Sequence, residues 1–333
     1  KARDQINIAR EVYRKEASEG AMLYFLLTKL CVIDHMYQYS LDSFMTFFEK
    51  SIARATRRDD DIGAHVTSLR DSLRMTIFTW VSRGLFERHK LIFLAQLTFD
   101  LMQRGMIGNE KEGGDSDRTS SGWHEEHFQF LIRGPTKIGE PNPLSWLPNN
   151  AWEATSALCD LDDFGKFGSD LVEAAPRFKE WFDSTPPETD KLPLDWASLD
   201  KNPLKKMLVV RCLRPDRLTV ALSSFIRTTL PAGSSYVDCD ATLNSIEILE
   251  QCLLDSTSKT PIYFILSPGS DVVGDLDRLA SKYGFVKAIS YHNVSMGQGQ
   301  DVVAMDKLEM GHKQGHWVIL NNIHLMPRWL KDV

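Results

Sequence analysis

The sequence has no paired cysteine motif, no long apolar run, no excess of basic charge and no internal repeat. Its five cysteines (Cys31, Cys159, Cys212, Cys239 and Cys252) are scattered and never spaced C-x-x-C. An odd, dispersed set of this kind points to reduced thiols in an intracellular compartment rather than a disulfide framework. The most apolar segment, residues 21–33, is interrupted by Thr28 and Lys29 and is too short to cross a bilayer. The first residues are charged and lack the apolar core of a signal peptide. A formal net charge of −6 leaves no electrostatic footprint for nucleic acid. Neither nucleic acid nor a membrane is therefore expected as a partner. An initiator Met is also missing, and the last strand candidate ends a few residues before Val333, so the chain is expected to be a piece of a longer one.

What is present is ordinary globular sequence. Hydrophobic residues make up 43% and charged residues 25%, and the 333 residues suffice for two domains of common size. Residues 1–30 read as one long helix. Ile6, Ala9, Tyr13, Ala17, Gly20 and Tyr24 form a narrow stripe of coiled-coil type, which asks for a partner helix expected upstream. Ser40 and Asp42 offer caps for a helix over residues 41–52. Arg57 to Asp61 is a solvated charged junction. A helical region from Val66 to about Met102, broken near Gly84, carries the stripes Leu69, Leu73, Ile77, Trp80 and Leu91, Leu94, Leu97, Leu101. Residues 105–122 are rich in Gly, Asp and Ser and predict an exposed loop. Short helices are expected over 152–163 and 169–182. The Pro/Asp-rich stretch 186–203 predicts a linker between domains. Residues 204–214 are ambiguous between strand and helix, and 217–229 read as helix.

Beyond Leu230 the pattern changes to strands alternating with helices: strand 261–266, helix 276–283, strand 288–294, helix 300–311, strand 317–320. This alternation predicts βαβ units and a parallel sheet. The chain is organised around residues 261–275. An apolar run stops at Ser267-Pro268-Gly269 and a helical pattern follows, the local context of a phosphate-binding loop. Gly269 and Gly274 keep the glycine spacing of that loop. The next two positions should be Lys and Ser/Thr, for the β/γ-phosphates and Mg²⁺, and here they are Asp275 and Leu276. Asp275 sets a negative charge where a negative ligand would lie, and like charges ~4 Å apart repel by a few kcal/mol at an intermediate dielectric. The strand Trp317-Val318-Ile319-Leu320 ends in Asn321-Asn322, where a working ATPase of this class carries an acidic pair for Mg²⁺ and proton transfer. Asparagine amides cannot act as bases at neutral pH. The site is predicted to be degenerate and inert, with no catalytic residue.

Two further patterns are weaker. His124-Glu125-Glu126-His127 places two imidazoles three residues apart, but zinc motifs on a helix use i, i+4 spacing and need a third ligand, so no metal is assigned. Gly297-Gln298-Gly299 lacks the third glycine of a dinucleotide loop and reads as a helix-entry turn.

Several segments together carry a family resemblance. Ala9-Arg10-Glu11-Val12-Tyr13-Arg14, Gly20-Ala21-Met22-Leu23-Tyr24-Phe25 and Met36-Tyr37-Gln38-Tyr39-Ser40-Leu41 resemble the dynein heavy chain just beyond its microtubule-binding stalk. So do residues 82–93, which include Gly84-Leu85-Phe86-Glu87-Arg88, and Leu213-Arg214-Pro215-Asp216-Arg217. The same holds for residues 264–269, 292–300 and 316–325. The Gly-Leu-Phe-Glu-Arg form looks more like the axonemal chains than the cytoplasmic one, and the 105–122 loop departs from the resemblance in being longer than is usual in the family.

The resemblance implies a ring of six AAA+ modules in one polypeptide, the first hydrolysing ATP and the sixth lacking a working site. On this likeness residues 1–30 are the returning helix of the buttress hairpin. Residues 31–185 are the helical small (lid) region of the fifth module, 186–203 the linker, and 204–333 the start of the sixth module's large α/β domain. The implied fold is helical with a long coiled-coil arm, then a partial P-loop-type parallel βαβ sheet. The segment itself is expected to be non-catalytic and cofactor-free, with ATP and Mg²⁺ bound in other modules. Its expected partners are the neighbouring modules and, through the buttress, the stalk. Microtubules, intermediate chains and light chains are met only by the parent motor, in a cilium or flagellum axoneme. The alternative is a degenerate loop that acts as a regulatory nucleotide site.

Overall fold

A computed structural model describes residues 10–57, 61–107, 123–239, 245–257, 260–266 and 268–331. The chain divides into two units, residues 1–238 and 239–333. In the first unit α1 (Arg14–Lys29), α2 (Leu41–Arg54), α3 (Ile62–Gly84) and α4 (Glu87–Gln103) pack together. Ser40 starts α2 by accepting the Ser43 amide at 3.1 Å, and Asp61 starts α3 by accepting the Ala64 amide at 3.0 Å. The predicted break near Gly84 is the extended pair Leu85-Phe86. Leu73, Ile77, Leu94, Leu97 and Leu101 from the predicted stripes are buried.

Of the stripe on α1, Gly20 alone among the described members is fully buried. Ile6 and Ala9 lie outside the described residues, Tyr13 and Ala17 are exposed, and Tyr24 is half-buried. The buried face is instead Glu16, Glu19, Gly20, Leu23, Leu26, Leu27 and Leu30, and it packs on α2, α3 and α4 of the same unit. Carboxylates are rarely buried unless paired, so Glu16 and Glu19 carry no core signal in the sequence. Here Arg70 and Arg74 of α3 pair with them. Gly20 allows the close approach: a Cβ there would stand 3.0 Å from Phe48 of α2.

The rest of the first unit comprises α5 (Glu125–Arg133), α6 (Asn149–Leu158), α7 (Phe167–Glu173), α8 (Ala175–Asp183), α9 (Pro203–Leu213), α10 (Leu218–Thr229) and α11 (Gly233–Val237). The predicted helix 169–182 is two helices, because the chain bends at Ala174 just before Pro176 of α8. The ambiguous segment 204–214 is α9, capped by Asn202, whose side chain accepts the Lys205 amide, with Pro203 opening the helix. Leu204, Met207, Leu208, Val209, Val210, Cys212 and Leu213 are all buried. A helix enclosed on nearly every side shows no polar face, so its period cannot be read.

The expected linker, residues 186–203, lies within the first unit, away from the division after Asp238. Leu192 and Leu199 are buried, and two arginines of Leu213-Arg214-Pro215-Asp216-Arg217 tie the segment and its approach together. Arg214 donates to the carbonyls of Phe182 and Ser184 at the end of α8, and to Asp216 at 2.8 Å. Arg217 binds both carboxylate oxygens of Glu188.

The second unit contains α12 (Ser245–Asp255), α13 (Val273–Lys282), β1 (Tyr291–Ser295), α14 (Asp301–Gln314) and β2 (Trp317–Asn321). β1 and β2 pair in parallel in the register Tyr291↔Trp317 to Ser295↔Asn321, joined by α14 as the crossover. Val294, Met296 and Ala304 form a small core against Leu320, Met326 and Trp329. The predicted strand 261–266 is not formed, so the sheet has two strands among the described residues. A strand exists only through its ladder. Residues 261–266 find no ladder partner, and Ile262, Tyr263, Ile265 and Leu266 are left exposed. Residues 288–290 form a turn instead of the start of β1, with Ala288 at φ +65°. No helix is long and apolar enough to cross a membrane among the described residues.

Candidate functional site

The residues that would hold a phosphate lie at the start of α13. Ser267 is outside the described residues; Pro268 and Gly269 form the turn. Gly269 sits at φ +86°, a left-handed conformation that a side chain would strain. α13 begins at Val273, so the two glycines stand on a turn and a helix N-terminus as the spacing predicts. A helix N-terminus attracts anions because its first amides point outward unpaired.

In this chain one of those amides already has an anion. Asp271 accepts the Gly274 amide with Oδ1 at 3.2 Å. Asp275, in the first turn of α13, accepts the Ser245 hydroxyl at 2.7 Å and pairs with Arg278 at 3.2 Å. Leu276 donates its amide to the Val272 carbonyl and has no group for a metal ion. Asp271 thus takes one amide that a phosphate would use, and Asp275 adds a second carboxylate in the first turn.

The second half of the predicted site is at the end of β2. Asn321 pairs with Ser295 in the ladder, and its side-chain amide meets Asn293 across the sheet. Asn322 follows at φ +56°, a left-handed conformation that asparagine tolerates better than most residues. Among the described residues no hydrogen bond joins Asn321 or Asn322 to Gly269, Gly274, Asp275 or Leu276. A cleft of about 760 Å³ lies beside β1, lined by Asp277, Lys287, His292, Asn293 and Lys307 among others. Lys287 is already neutralised by Asp277 at 2.7 Å, and its hydrogen bond holds Asp277 below the usual carboxylate range.

Sequence reasoning missed Asp271, Asn293 and Ser245. Asp271 stands three residues before Gly274, the spacing of a helix cap, and that signal could have found it. Ser245 and Asn293 are distant in sequence from their partners and carried no local signal.

Comparison with known proteins adds the family. Residues 257–333 match the family described as "Dynein heavy chain region D6 P-loop domain". The chain is 39% identical over 323 residues to "Dynein axonemal heavy chain 17" of Homo sapiens, covering 97% of this chain and 7% of that protein. It is 38% identical over 332 residues to "Dynein beta chain, ciliary" of Heliocidaris crassispina (99% of this chain, 7% of that one). To "Dynein beta chain, flagellar outer arm" of Chlamydomonas reinhardtii it is 36% identical over 342 residues, again 7% of that protein. The chain therefore spans a small part of the relatives it matches. With the turn–helix frame, the parallel crossover and this similarity along nearly all its length, it belongs to the dynein heavy chain family.

Proposed function

We propose that this chain is a non-catalytic structural and mechanical segment of an axonemal dynein motor ring. It would comprise the returning root of the buttress, the helical lid region of the fifth module and the beginning of the sixth module's α/β domain. Its role is to close the ring and to pass shape change toward the stalk of an ATP-driven microtubule motor in a cilium or flagellum. It meets neighbouring modules directly, and microtubules, intermediate chains and light chains only through the complete motor.

The observation that carries the inert reading is the Asp271–Gly274 bond beside Asp275. A triphosphate would have to displace Asp271 from the Gly274 amide and approach Asp275, which Arg278 partly offsets, without the lysine that a phosphate-binding loop supplies. At the end of β2 an amide pair replaces the acids that would organise Mg²⁺ and water. ATP and Mg²⁺ then act in other modules. The rival reading, a regulatory nucleotide site, draws on the kept glycine frame and the exposed helix start. Calorimetry with ATP on the complete sixth module decides between them. The inert reading expects no heat of binding at physiological nucleotide. Micromolar affinity abolished by Gly274→Trp would overturn it.

A further inference from the structure

We infer that His124, His127 and Asp163 form a binding site for a divalent transition-metal cation, zinc in the first instance. The sequence offered two histidines without the usual spacing and without a third ligand. The fold supplies the third: Asp163, in the turn 162–164 ahead of α7, lies beside the start of α5. One donor atom from each of the three residues falls within 4.8 Å of the others. His127 Nε2 stands 3.1 Å from Asp163 Oδ2. Two donors on a tetrahedral zinc with bonds of about 2.0–2.1 Å are about 3.3 Å apart, so this pair is already at coordination spacing. His124 precedes α5 in an extended conformation and is exposed, so its ring can rotate to close the remaining gap of up to about 1.5 Å.

A second observation points to a ligand. His127 is 4% exposed, and its Nδ1 is buried with no hydrogen-bond partner. An imidazole shut away with one nitrogen unsatisfied is an expensive arrangement unless the ring has a further bond to make. Nε2 faces the carboxylate, and a half-turn of the ring about Cβ–Cγ exchanges Nδ1 with Cδ2, so the flipped ring offers Nδ1 from its other edge. Two histidines and one carboxylate leave the fourth position to water, and the donor set suits a borderline cation such as zinc better than calcium or magnesium.

One group opposes the ion. Lys205 of α9 reaches Asp163 Oδ2 at 2.9 Å and supplies positive charge there itself. The carboxylate has a second oxygen, so lysine and metal can share it, with the affinity reduced by their repulsion. Glu125 and Glu126 in the first turn of α5, and Asp162 beside Asp163, are exposed and add negative charge in the opposite sense. The site would pin the start of α5 to the turn before α7.

The test uses the complete heavy chain that carries these residues, dialysed against zinc and then against a weak chelator. Zinc per chain is compared between wild type, His124→Ala and Asp163→Asn, and X-ray absorption at the zinc edge reads the ligand atoms. The site predicts one more equivalent in wild type than in either variant, with nitrogen and oxygen neighbours. Lys205→Met should tighten zinc binding by about tenfold, because a nearby positive charge is removed. That gain separates a metal site from a folding defect, which lowers zinc in every variant. Equal zinc in wild type and variants, or no gain with Lys205→Met, overturns the inference.

Discussion

Arg74 of α3 grips Glu19 of α1 with a two-pronged hydrogen bond, and both side chains are 2% exposed. One turn away Arg70 binds Glu16 at 2.6 Å, while the second oxygen of Glu16 is buried without a partner. Burying two ion pairs in one helix–helix contact costs desolvation that their attraction roughly offsets, so the arrangement contributes register more than net stability. Removing one partner is a different matter, because it leaves a lone buried charge. Arg74→Met is expected to destabilise the α1–α3 contact by about 3–5 kcal/mol. Adding Glu19→Leu should recover most of that loss. Hydrogen exchange at the α1 amides measures both, with protection falling in the single variant and returning in the double one.

The loop makes a prediction about repair. If Asp275 were the sole obstacle to nucleotide, Asp275→Lys would restore the missing lysine and with it some affinity. The Asp271 carboxylate on the Gly274 amide is a second obstacle, and Leu276 leaves Mg²⁺ without its hydroxyl. Asp275→Lys alone is therefore expected to give no calorimetric ATP binding. Micromolar binding by that variant would show that Asp271 yields its amide easily.

Glu188 gives a pH dependence. Burial pushes its carboxyl upward, but the two hydrogen bonds from Arg217 outweigh it and hold the group below the ordinary range. A depressed carboxylate contributes stability that is present above its unfolded pKa and lost as pH falls through the folded value. Acid should thus loosen the segment around residues 186–203 as pH falls from about 5 toward 3. Glu188→Gln should start less stable at pH 7 and lose less on acidification. The measurement is limited proteolysis of this segment against pH. A parallel pH profile in both proteins would assign the acid effect to other groups.

Much of the helical scaffold was legible because its signals are local. Ser40 and Asp61 cap helices within three residues of themselves, and Leu73, Ile77, Leu94, Leu97 and Leu101 repeat at helical spacing. The alternation of β1, α14 and β2 was legible for the same reason. The α1 face was not, since Glu16 and Glu19 become core residues only through arginines more than fifty positions away. Strand 261–266 failed in the opposite way. Its apolar run is a valid strand signal, but pairing is tertiary and the described sheet offers it no partner. At the candidate site the departures of Asp275, Leu276, Asn321 and Asn322 from the pattern of a working loop were legible in sequence. The role of Asp271 in filling the amide, and of Asp163 beside the two histidines, needed coordinates.

The exposed run itself predicts behaviour. Tyr263 is 68% and Ile265 61% exposed in backbone that belongs to no helix or strand. Apolar segments of this kind template intermolecular strand pairing. The 333-residue chain alone should therefore self-associate, and Tyr263→Lys with Ile265→Lys should suppress it. Sedimentation velocity at rising concentration reads this. A monodisperse wild-type monomer would contradict the expectation.

The last prediction joins the Arg74–Glu19 contact to the proposed mechanical role. If α1 is the root of the buttress, force reaching it from the stalk passes into α3 through the only charged residues buried on the described part of its face, Glu16 and Glu19. Glu19→Arg puts a third positive charge beside Arg70 and Arg74 and should open the root, since buried like charges repel strongly. ATP hydrolysis proceeds in another module on this reading, so basal turnover of the complete motor should survive. Microtubule stimulation of that turnover should fall, and gliding should slow or stop. Adding Arg74→Glu reverses the pair, rebuilds one buried bridge and should restore part of the coupling. ATPase rates with and without microtubules, gliding velocity, and α1 hydrogen exchange are measured on the same preparations. Normal stimulation and gliding in Glu19→Arg, with exchange proving that α1 has loosened, would refute the role of this contact in coupling.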